Sequence, residues 1–493
     1  MRRDLALLGT ALIAAAVLRI GPMLNESVWL DEMFTRHVVL LPAAEALQFI
    51  RVDKTHPPVY YVLERISVTL LGDSPAGLRM LSLLSSLGLV AAAGLLARAL
   101  TGGSSWAGFS AAALVAVSDS QIAHAFNARS YALYSLQVLL LAWAFHHMVL
   151  APGRRGPKVA YALLAMVAVL THYLVAFYLL ALGPAAMVAP DRRRALRNWV
   201  LMSLPSATAL GAWWLYLRPV FRADPGLGGL SWIAKPGFYG VAKTMAGLAG
   251  LPIGDHVGRL SLLFGTGFLA LLAWIYLRRP SSRLAVTPAA IAMVVSLIVV
   301  PPALLLTASL LATRSFWVGR QLLPSQAFVA IGAGMGIAIV ARRHPAFALA
   351  VLAALVVLSK PGPLFGPSAP RNAPYNLVAA DLRKLRGPGE VVAATEPSSL
   401  WSLNYYLQGP DSGRWFRTRR PFGGWVPRPY PSMSDASLSA ATGIWLVSPG
   451  RRTDERDSLV KIGWQVETTL RYATRGRPGV PGQALRVEKL RRP

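Results

Sequence analysis

The fold is decided by the stretch RMLSLLSSLGLVAAAGLLARAL, residues 79–100, in which only Arg79 and Arg98 are charged. A helix needs about 20 mostly apolar residues to cross the hydrocarbon core of a bilayer. Ten similar runs lie near residues 5–22, 106–122, 131–150, 159–176, 174–190, 199–218, 258–277, 284–312, 321–341 and 346–360. We therefore predict a mostly α fold, a polytopic bundle of about eleven transmembrane helices.

The composition supports this prediction and excludes other classes of protein. Hydrophobic residues make up 54% of the 493 residues and charged residues only 15%, whereas a soluble domain carries about 25% charged residues. The high apolar content also excludes a disordered basic protein, although the net charge is +28. Because there is no cysteine, disulfides, thiolate metal ligands and cysteine nucleophiles are excluded.

Clusters of basic residues predict how the bundle is oriented. Short cytoplasmic loops are enriched in Lys and Arg, and eleven alternating spans bring the main clusters to one side. These clusters are Arg2-Arg3, Arg98, Arg154-Arg155-Lys158, Arg192-Arg193-Arg194-Arg197, Arg278-Arg279-Arg283 and Arg342-Arg343. We therefore predict that the loop 23–78 and the C-terminal segment both lie outside the cytoplasm.

The sequence changes character after residue 360. The stretch PGPLFGP, residues 361–367, is typical of a linker. Beyond it we predict a helix at Tyr375–Leu385 and short buried strands at Val391–Ala394 and Ile444–Val447. We therefore expect a transmembrane domain at 1–360 and a small α/β soluble domain at 361–493. The latter has 20 basic and 10 acidic residues, which suits a position near anionic lipid headgroups.

Acidic residues are concentrated in the first outside loop. Of the twelve that precede residue 360, seven lie in 23–78, and most of them need no explanation beyond solvation. Asp31 and Glu32 differ, because they are flanked by large apolar residues in VWLDEMF, residues 28–34, near the end of the first span. Partial desolvation there would raise the pKa of a carboxyl group and improve it as a base.

Histidine and arginine residues mark the other outside loops. His56 lies in DKTHPPVYY, residues 53–61, where two prolines hold the backbone in a fixed conformation. Arg129 and Arg320 lie at outer helix ends and could bind phosphate, although arginines there more often snorkel to the interface. His172 lies at another outer end, where a lone histidine is more often a hydrogen-bonding group than a ligand or base.

These motifs, taken in order, resemble the C-type polytopic glycosyltransferases. The similarity is greatest to bacterial relatives of the dolichyl-phosphate-mannose protein mannosyltransferases, a group that includes the lipid A aminoarabinose transferases. It covers about residues 1–340. The motifs that carry it are Trp29-Leu30-Asp31-Glu32, His56-Pro57-Pro58-Val59-Tyr60-Tyr61, Ala128-Arg129-Ser130-Tyr131, Thr171-His172-Tyr173 and Arg320-Gln321-Leu322-Leu323-Pro324.

The resemblance implies an inverting transfer of a sugar from a polyprenyl-phosphate carrier to an acceptor hydroxyl of a lipid, glycan or protein. It implies that Asp31 is the catalytic base and that Glu32 supports it. The donor phosphate would be bound by Arg129 and Arg320, with His56 and Tyr131 beside them. Asp53 and His172 would contact the acceptor or support the loop.

The resemblance also implies a location in the bacterial inner membrane, with the active site on its outer face. Many relatives have Glu where this chain has Asn127 and Tyr where it has Gln321. The sequence leaves a divalent cation open as a cofactor and indicates no nucleic-acid partner. Two other functions stay open: a flippase for a lipid-linked saccharide, which would need charges along a membrane path, and a non-catalytic scaffold for envelope assembly.

Overall fold

The computed structural model describes residues 2–223, 233–248, 286–359, 371–408, 413–415, 435–450, 454–474, 476–477, 480–481 and 484–493. Within these residues the chain divides into two compact units. The first, the membrane unit, comprises Met1–Met23 and Leu41–Gly366. The second, the mixed unit, combines Leu24–Leu40 with Pro367–Pro493. Part of the predicted outside loop therefore belongs to the same unit as the C-terminal residues.

The membrane unit is built from helices. They are α1 (Arg2–Asn25, whose last two residues belong to the mixed unit), α3 (Ala43–Asp53), α4 (Val59–Leu71), α5 (Pro75–Leu100), α6 (Ser105–Val117), α7 (Asp119–Ala125), α8 (Tyr131–Leu150), α9 (Arg155–Val169), α10 (Val175–Ala181), α11 (Gly183–Met187), α12 (Arg192–Ala223), α13 (Phe238–Leu248), α14 (Pro288–Leu311), a 3₁₀ turn (Gly319–Leu322), α15 (Leu323–Ala341) and α16 (Pro345–Leu358). The helix α2 (Leu30–Leu40) belongs to the mixed unit.

The prediction of a polytopic helical membrane protein is confirmed. Six helices of the described chain are long and apolar enough to cross a membrane: α1, α5, α8, α12, α14, and the 3₁₀ turn with α15. Shorter apolar helices at Ser105–Val117, Val175–Met187 and Pro345–Leu358 match three more of the predicted runs. The predicted span at 258–277 lies outside the described residues, so the number of spans stays a prediction.

Close helix packing depends on two glycines at the centre of the membrane unit. A Cβ atom on Gly334 in α15 would lie 2.7 Å from the carbonyl oxygen of Ala107 in α6. A Cβ atom on Gly94 in α5 would lie 3.0 Å from the carbonyl oxygen of Gly108, also in α6. Small residues let helix backbones approach closely where lipid provides no hydrophobic drive for association. At these two glycines, α5 and α15 therefore pack directly against backbone carbonyls of α6.

A buried arginine attaches the first helix to this centre. Arg19 of α1 is fully buried. Its Nε donates to the Ser86 hydroxyl at 2.9 Å, and its Nη1 donates to the Ala116 carbonyl at 2.8 Å. Nη2 donates to the Val115 carbonyl at 3.2 Å. The carbonyls at the C-terminal end of a helix carry partial negative charge, so the end of α6 accommodates this guanidinium.

The mixed unit contains the predicted α/β sheet. Its described elements after α2 are α17 (Tyr375–Leu385), β1 (Glu390–Ala394), α18 (Pro397–Tyr406), β2 (Arg414–Trp415), α19 (Asp435–Ala440), β3 (Gly443–Pro449), α20 (Asp454–Lys461), β4 (Gln465–Tyr472), β5 (Gly476–Arg477), β6 (Val480–Pro481) and β7 (Leu485–Arg491). Five strands pair in the order β2-β1-β3-β7-β4. The β2-β1-β3 part is parallel, and β7 runs antiparallel to β3 and β4.

The predicted helix and both predicted strands of this region are present. The helix α17 has the predicted bounds, and Val391 pairs with Ile444 in the sheet. The central strand β3 is buried along its whole length. The predicted linker at 361–367 lies outside the described residues. The extracytoplasmic position of this part of the chain stays a prediction.

Candidate functional site

A rigid loop between α3 and α4 carries the first candidate residue, His56. Lys54 ends α3 in a left-handed conformation with φ 59°. The Asp53 Oδ2 then accepts the Thr55 backbone N–H at 3.2 Å, and the Thr55 hydroxyl donates to the Asp53 carbonyl at 3.0 Å. This turn and the two prolines that follow it hold His56 in a buried position. The contacts of Asp53 suit the predicted loop-supporting role.

Arg129 reaches His56 from the turn between α7 and α8. Its Nη2 lies 3.1 Å from Nε2 and 3.3 Å from Nδ1 of the imidazole. The turn is held by the Asn127 carbonyl, which accepts the Arg129 backbone N–H at 2.6 Å and the Ser82 hydroxyl at 2.7 Å. Since a guanidinium only donates hydrogen bonds, the imidazole nitrogen that accepts must be unprotonated.

The charge state of this loop follows from burial. Desolvation lowers the pKa of His56 well below its ordinary value of 6.5, and the nearby Arg129 lowers it further. The same burial raises the pKa of Asp53, against the opposing effects of Arg129 and the Thr55 hydrogen bonds. The positive charge next to this loop is therefore carried by arginine and not by His56.

Aromatic rings surround the arginine–histidine pair. The His172 ring stacks on Tyr134 with centroids 4.4 Å apart and lies edge-on to His56 at 6.0 Å. Tyr131 lies 5.9 Å from His172, and the Arg320 guanidinium carbon lies 5.4 Å above the Tyr131 ring. Two guanidinium groups and several ring faces thus come together, although their residues are far apart in the sequence. We call His56, Arg129, Tyr131, Tyr134, His172 and Arg320 the cationic cluster.

Asn127 and Gln321, where many members of the resembled family have Glu and Tyr, lie next to this cluster. Asn127 is buried in the Arg129 turn, where its backbone carbonyl makes the two contacts described above. At Gln321 the backbone carbonyl accepts a hydrogen bond from the Tyr134 hydroxyl. These contacts are made by backbone carbonyls, which any residue at either position can provide.

Asp31 and Glu32 lie at the start of α2, in the mixed unit. The first helical hydrogen bond joins the Met33 N–H to the Trp29 carbonyl at 3.0 Å, so Trp29 is the N-cap residue and Asp31 and Glu32 follow at N2 and N3. The Glu32 Oε2 accepts the Trp29 N–H at 3.3 Å. This is the N3 half of a capping box, which satisfies a backbone donor at the helix start. Glu32 is fully buried and Asp31 is half-buried.

Five of the predicted site residues therefore lie in one cluster of the membrane unit: His56, Arg129, Tyr131, His172 and Arg320. Asp53 supports the same loop, whereas Asp31 and Glu32 belong to the mixed unit. Sequence reasoning missed Tyr134. Its position three residues after Tyr131 places both tyrosines on one face of α8, and that spacing was the available signal.

The described residues contain no group of three or more His, Asp or Glu side chains that could hold a metal ion. The cationic cluster is also a poor metal site, because two guanidinium groups repel a cation. The cationic cluster is therefore not a binding place for a divalent ion, and the cation that the sequence left open as a cofactor stays a prediction.

Comparison with known proteins gives matches among solved structures. No protein-family model and no curated protein matches the chain. The oligosaccharyltransferase of Archaeoglobus fulgidus, in complex with Zn and sulfate, matches with a TM-score of 0.48 and 12% identity over 90% of this chain and 68% of that one. The archaeal oligosaccharyltransferase AglB from the same organism, in complex with an inhibitory peptide and a dolichol-phosphate, matches with a TM-score of 0.46 and 12% identity over 90% and 69%.

A third match is ArnT from Cupriavidus metallidurans bound to undecaprenyl phosphate. Its TM-score is 0.39 and its identity 14%, and the alignment covers 98% of this chain and 97% of that one. These proteins are C-type membrane glycosyltransferases, the group that the sequence motifs resemble.

Proposed function

We propose that this chain transfers a sugar from a polyprenyl-phosphate carrier to an acceptor hydroxyl, with inversion at C1. The observation that carries the proposal is the cationic cluster, in which Arg129 and Arg320 lie among aromatic rings next to an uncharged His56. Guanidinium groups suit phosphate geometry and stay charged at any physiological pH. The motifs that resemble the C-type glycosyltransferases supply the reaction type.

In the proposed reaction the C1–O bond to the carrier phosphate breaks while the acceptor oxygen forms the new bond to C1. Negative charge grows on the departing phosphate, and Arg129 and Arg320 stabilise it without donating a proton. The acceptor hydroxyl loses its proton to the Asp31 carboxylate as it attacks. The products are the glycosylated acceptor and the free polyprenyl phosphate. Attack opposite to the leaving group inverts the anomeric configuration.

Within this proposal Glu32 serves the base indirectly. Its carboxylate caps the helix that carries Asp31, because Oε2 accepts the Trp29 N–H. Adjacent side chains on a helix point in different directions, so only one of the two carboxylates can face the sugar carbon. Asp31 is assigned as the base and Glu32 as the residue that stabilises the helix start.

We further propose that the reaction takes place at the outer face of the bacterial inner membrane. The distribution of basic loops supports this side, because it places the loops of His56, Arg129 and Arg320 opposite the Lys- and Arg-rich ends. Nucleotide sugars are absent there, which favours a lipid-linked donor. The proposed donor carries a hexose or a pentose, and the proposed acceptor is a lipid, a glycan or a protein.

The test is a transfer assay with purified protein, a synthetic polyprenyl-phosphate sugar and membrane extract as acceptor source. Asp31→Asn should lower turnover by about 10²–10⁴-fold, which is the usual worth of general base catalysis. Asp73→Asn is the matched control, because Asp73 is an exposed acid in the same predicted loop. NMR of the product should show an inverted anomeric centre. Equal turnover of Asp31→Asn and Asp73→Asn would refute the base, and carrier transport without sugar transfer would favour a flippase.

A further inference from the structure

The segment that leads into the proposed base is attached to the C-terminal residues by backbone hydrogen bonds. The Glu26 carboxylate accepts two of them, from the Arg371 N–H at 2.8 Å and from the Asn372 N–H at 3.0 Å. The Asn372 side-chain amide donates to the Ser27 carbonyl at 2.6 Å. Hydrogen bonds to a charged acceptor are about twice as strong as neutral ones. Arg371 and Asn372 thus hold two successive residues, Glu26 and Ser27.

Tyr406, the last residue of α18, contacts the residue that precedes the N-cap of α2. Its phenolic oxygen accepts the Val28 N–H at 2.8 Å and the Ser27 hydroxyl at 3.4 Å. Val28 is fully buried, so its N–H cannot turn to bulk water if the phenol is removed. A buried donor without a partner is costly, and the backbone would move to recover one.

The same helix α18 also contacts the side of α2. The Trp401 ring lies 5.9 Å from His37 in an edge-on arrangement. The Arg36 guanidinium lies 5.2 Å above the Tyr405 ring. α2 is therefore held by α18 both along its length and, through Tyr406, at the residue that precedes its N-cap.

We infer that Tyr406 is a positioning residue for Asp31. The Tyr406 hydroxyl holds the Val28 N–H, and Glu32 holds the Trp29 N–H, so two successive backbone donors are fixed just before α2. Asp31 follows as its second residue, so a change of backbone direction at Val28 displaces the carboxylate. A misplacement of about 1 Å can cost up to about 10²-fold in rate. This inference rests on the proposed function, because it assigns the C-terminal residues a part in the same reaction.

The activity test compares Tyr406→Phe with Tyr472→Phe. Both substitutions remove one hydroxyl and keep the ring; the Tyr472 hydroxyl donates to Asp381 at 2.7 Å and is the matched control. Tyr406→Phe should lower kcat by about 10-fold or more and leave the donor KM within about twofold, because the phosphate-binding residues are unchanged. Tyr472→Phe should keep the wild-type kcat.

A double-mutant cycle distinguishes positioning of Asp31 from a general loss of stability. If Tyr406 acts through Asp31, then Tyr406→Phe should lower the residual rate of Asp31→Asn by less than about twofold, since coupled residues are not additive. A full, independent loss on the Asp31→Asn background would overturn the inference. So would a wild-type kcat in Tyr406→Phe.

Hydrogen exchange provides a readout that does not depend on activity. In full-length Tyr406→Phe, amides of residues 26–33 should exchange at least about 10-fold faster than in Tyr472→Phe, because one protecting contact is lost. Unchanged exchange would refute the anchoring. If the wild-type protein transfers no sugar, both the proposed function and the positioning role are refuted. Faster exchange in Tyr406→Phe would then show only that Tyr406 anchors the segment. An active wild type with an active Tyr406→Phe refutes this inference alone.

Discussion

The proposed contact of Arg129 with the donor phosphate gives a quantitative prediction. Arg129 is buried, with only 8% of its surface exposed, and its Nη2 lies within hydrogen-bonding distance of His56. Arg129→Met removes the charge and the donors but keeps most of the side-chain volume. A charge-assisted hydrogen bond contributes about 1.5–3 kcal/mol, which corresponds to an increase of roughly 10- to 150-fold in the donor KM.

Two further variants make this prediction specific to the guanidinium. Arg129→Lys should recover only part of the loss, because an ammonium retains the charge but lacks the planar fork of donors. Arg320→Met should also raise the donor KM. It loses in addition the cation–π contact with Tyr131, which is worth about 0.5–2 kcal/mol.

The assay varies the donor concentration at a fixed, saturating acceptor concentration. It then varies the acceptor concentration at a fixed, saturating donor concentration. A larger change in donor KM than in acceptor KM is expected for each arginine variant. A donor KM within twofold of wild type in Arg129→Met would refute a phosphate contact by this residue. Equal changes in both KM values would indicate that the cluster had been distorted as a whole.

Four other predictions concern the remaining features. Glu32→Gln should keep more than about a tenth of wild-type turnover, because an amide oxygen can still accept the Trp29 N–H; Asp31→Asn should lose far more, and the reverse order would exchange the two roles. Burial keeps the pKa of His56 well below 6.5, so titration of His56 should not change the donor KM near pH 6.5. An inflection there in wild type that is lost in His56→Asn would contradict this. Burial raises the pKa of Glu390, but hydrogen bonds from the Gly387 N–H, Lys489, Trp445 and Arg491 outweigh it and hold the pKa at about 2. Wild type should therefore exceed Glu390→Gln in unfolding free energy by up to about 3 kcal/mol at pH 7. That difference should shrink as the pH falls from about 4.5 to 2, and a constant gap in denaturation curves would contradict it. A cytoplasm-dependent reporter fused after Pro493 should stay inactive, and activity would invalidate the proposed orientation.

The local pattern of the sequence was sufficient for several elements of the fold. A run of apolar residues such as 79–100 must form a helix in a bilayer, because every backbone polar group there needs an internal partner. The strand Val391–Ala394 and the helix Tyr375–Leu385 were likewise predicted from apolar periodicity. The resemblance of the outer-loop motifs to the C-type glycosyltransferases also singled out five residues of the cationic cluster, whereas their residue types alone favoured snorkelling or interfacial hydrogen bonding.

Only the tertiary structure revealed which of these residues meet. His172 stacks on Tyr134 and approaches His56 because α8, the loop before α10 and the loop before α4 are brought together by packing, and helix packing is not encoded in local periodicity. No pattern in the sequence predicted the attachment of Glu26 and Val28 to the C-terminal residues. These contacts join residues more than 300 positions apart, and hydrogen-bonding capacity alone does not specify a partner at that separation.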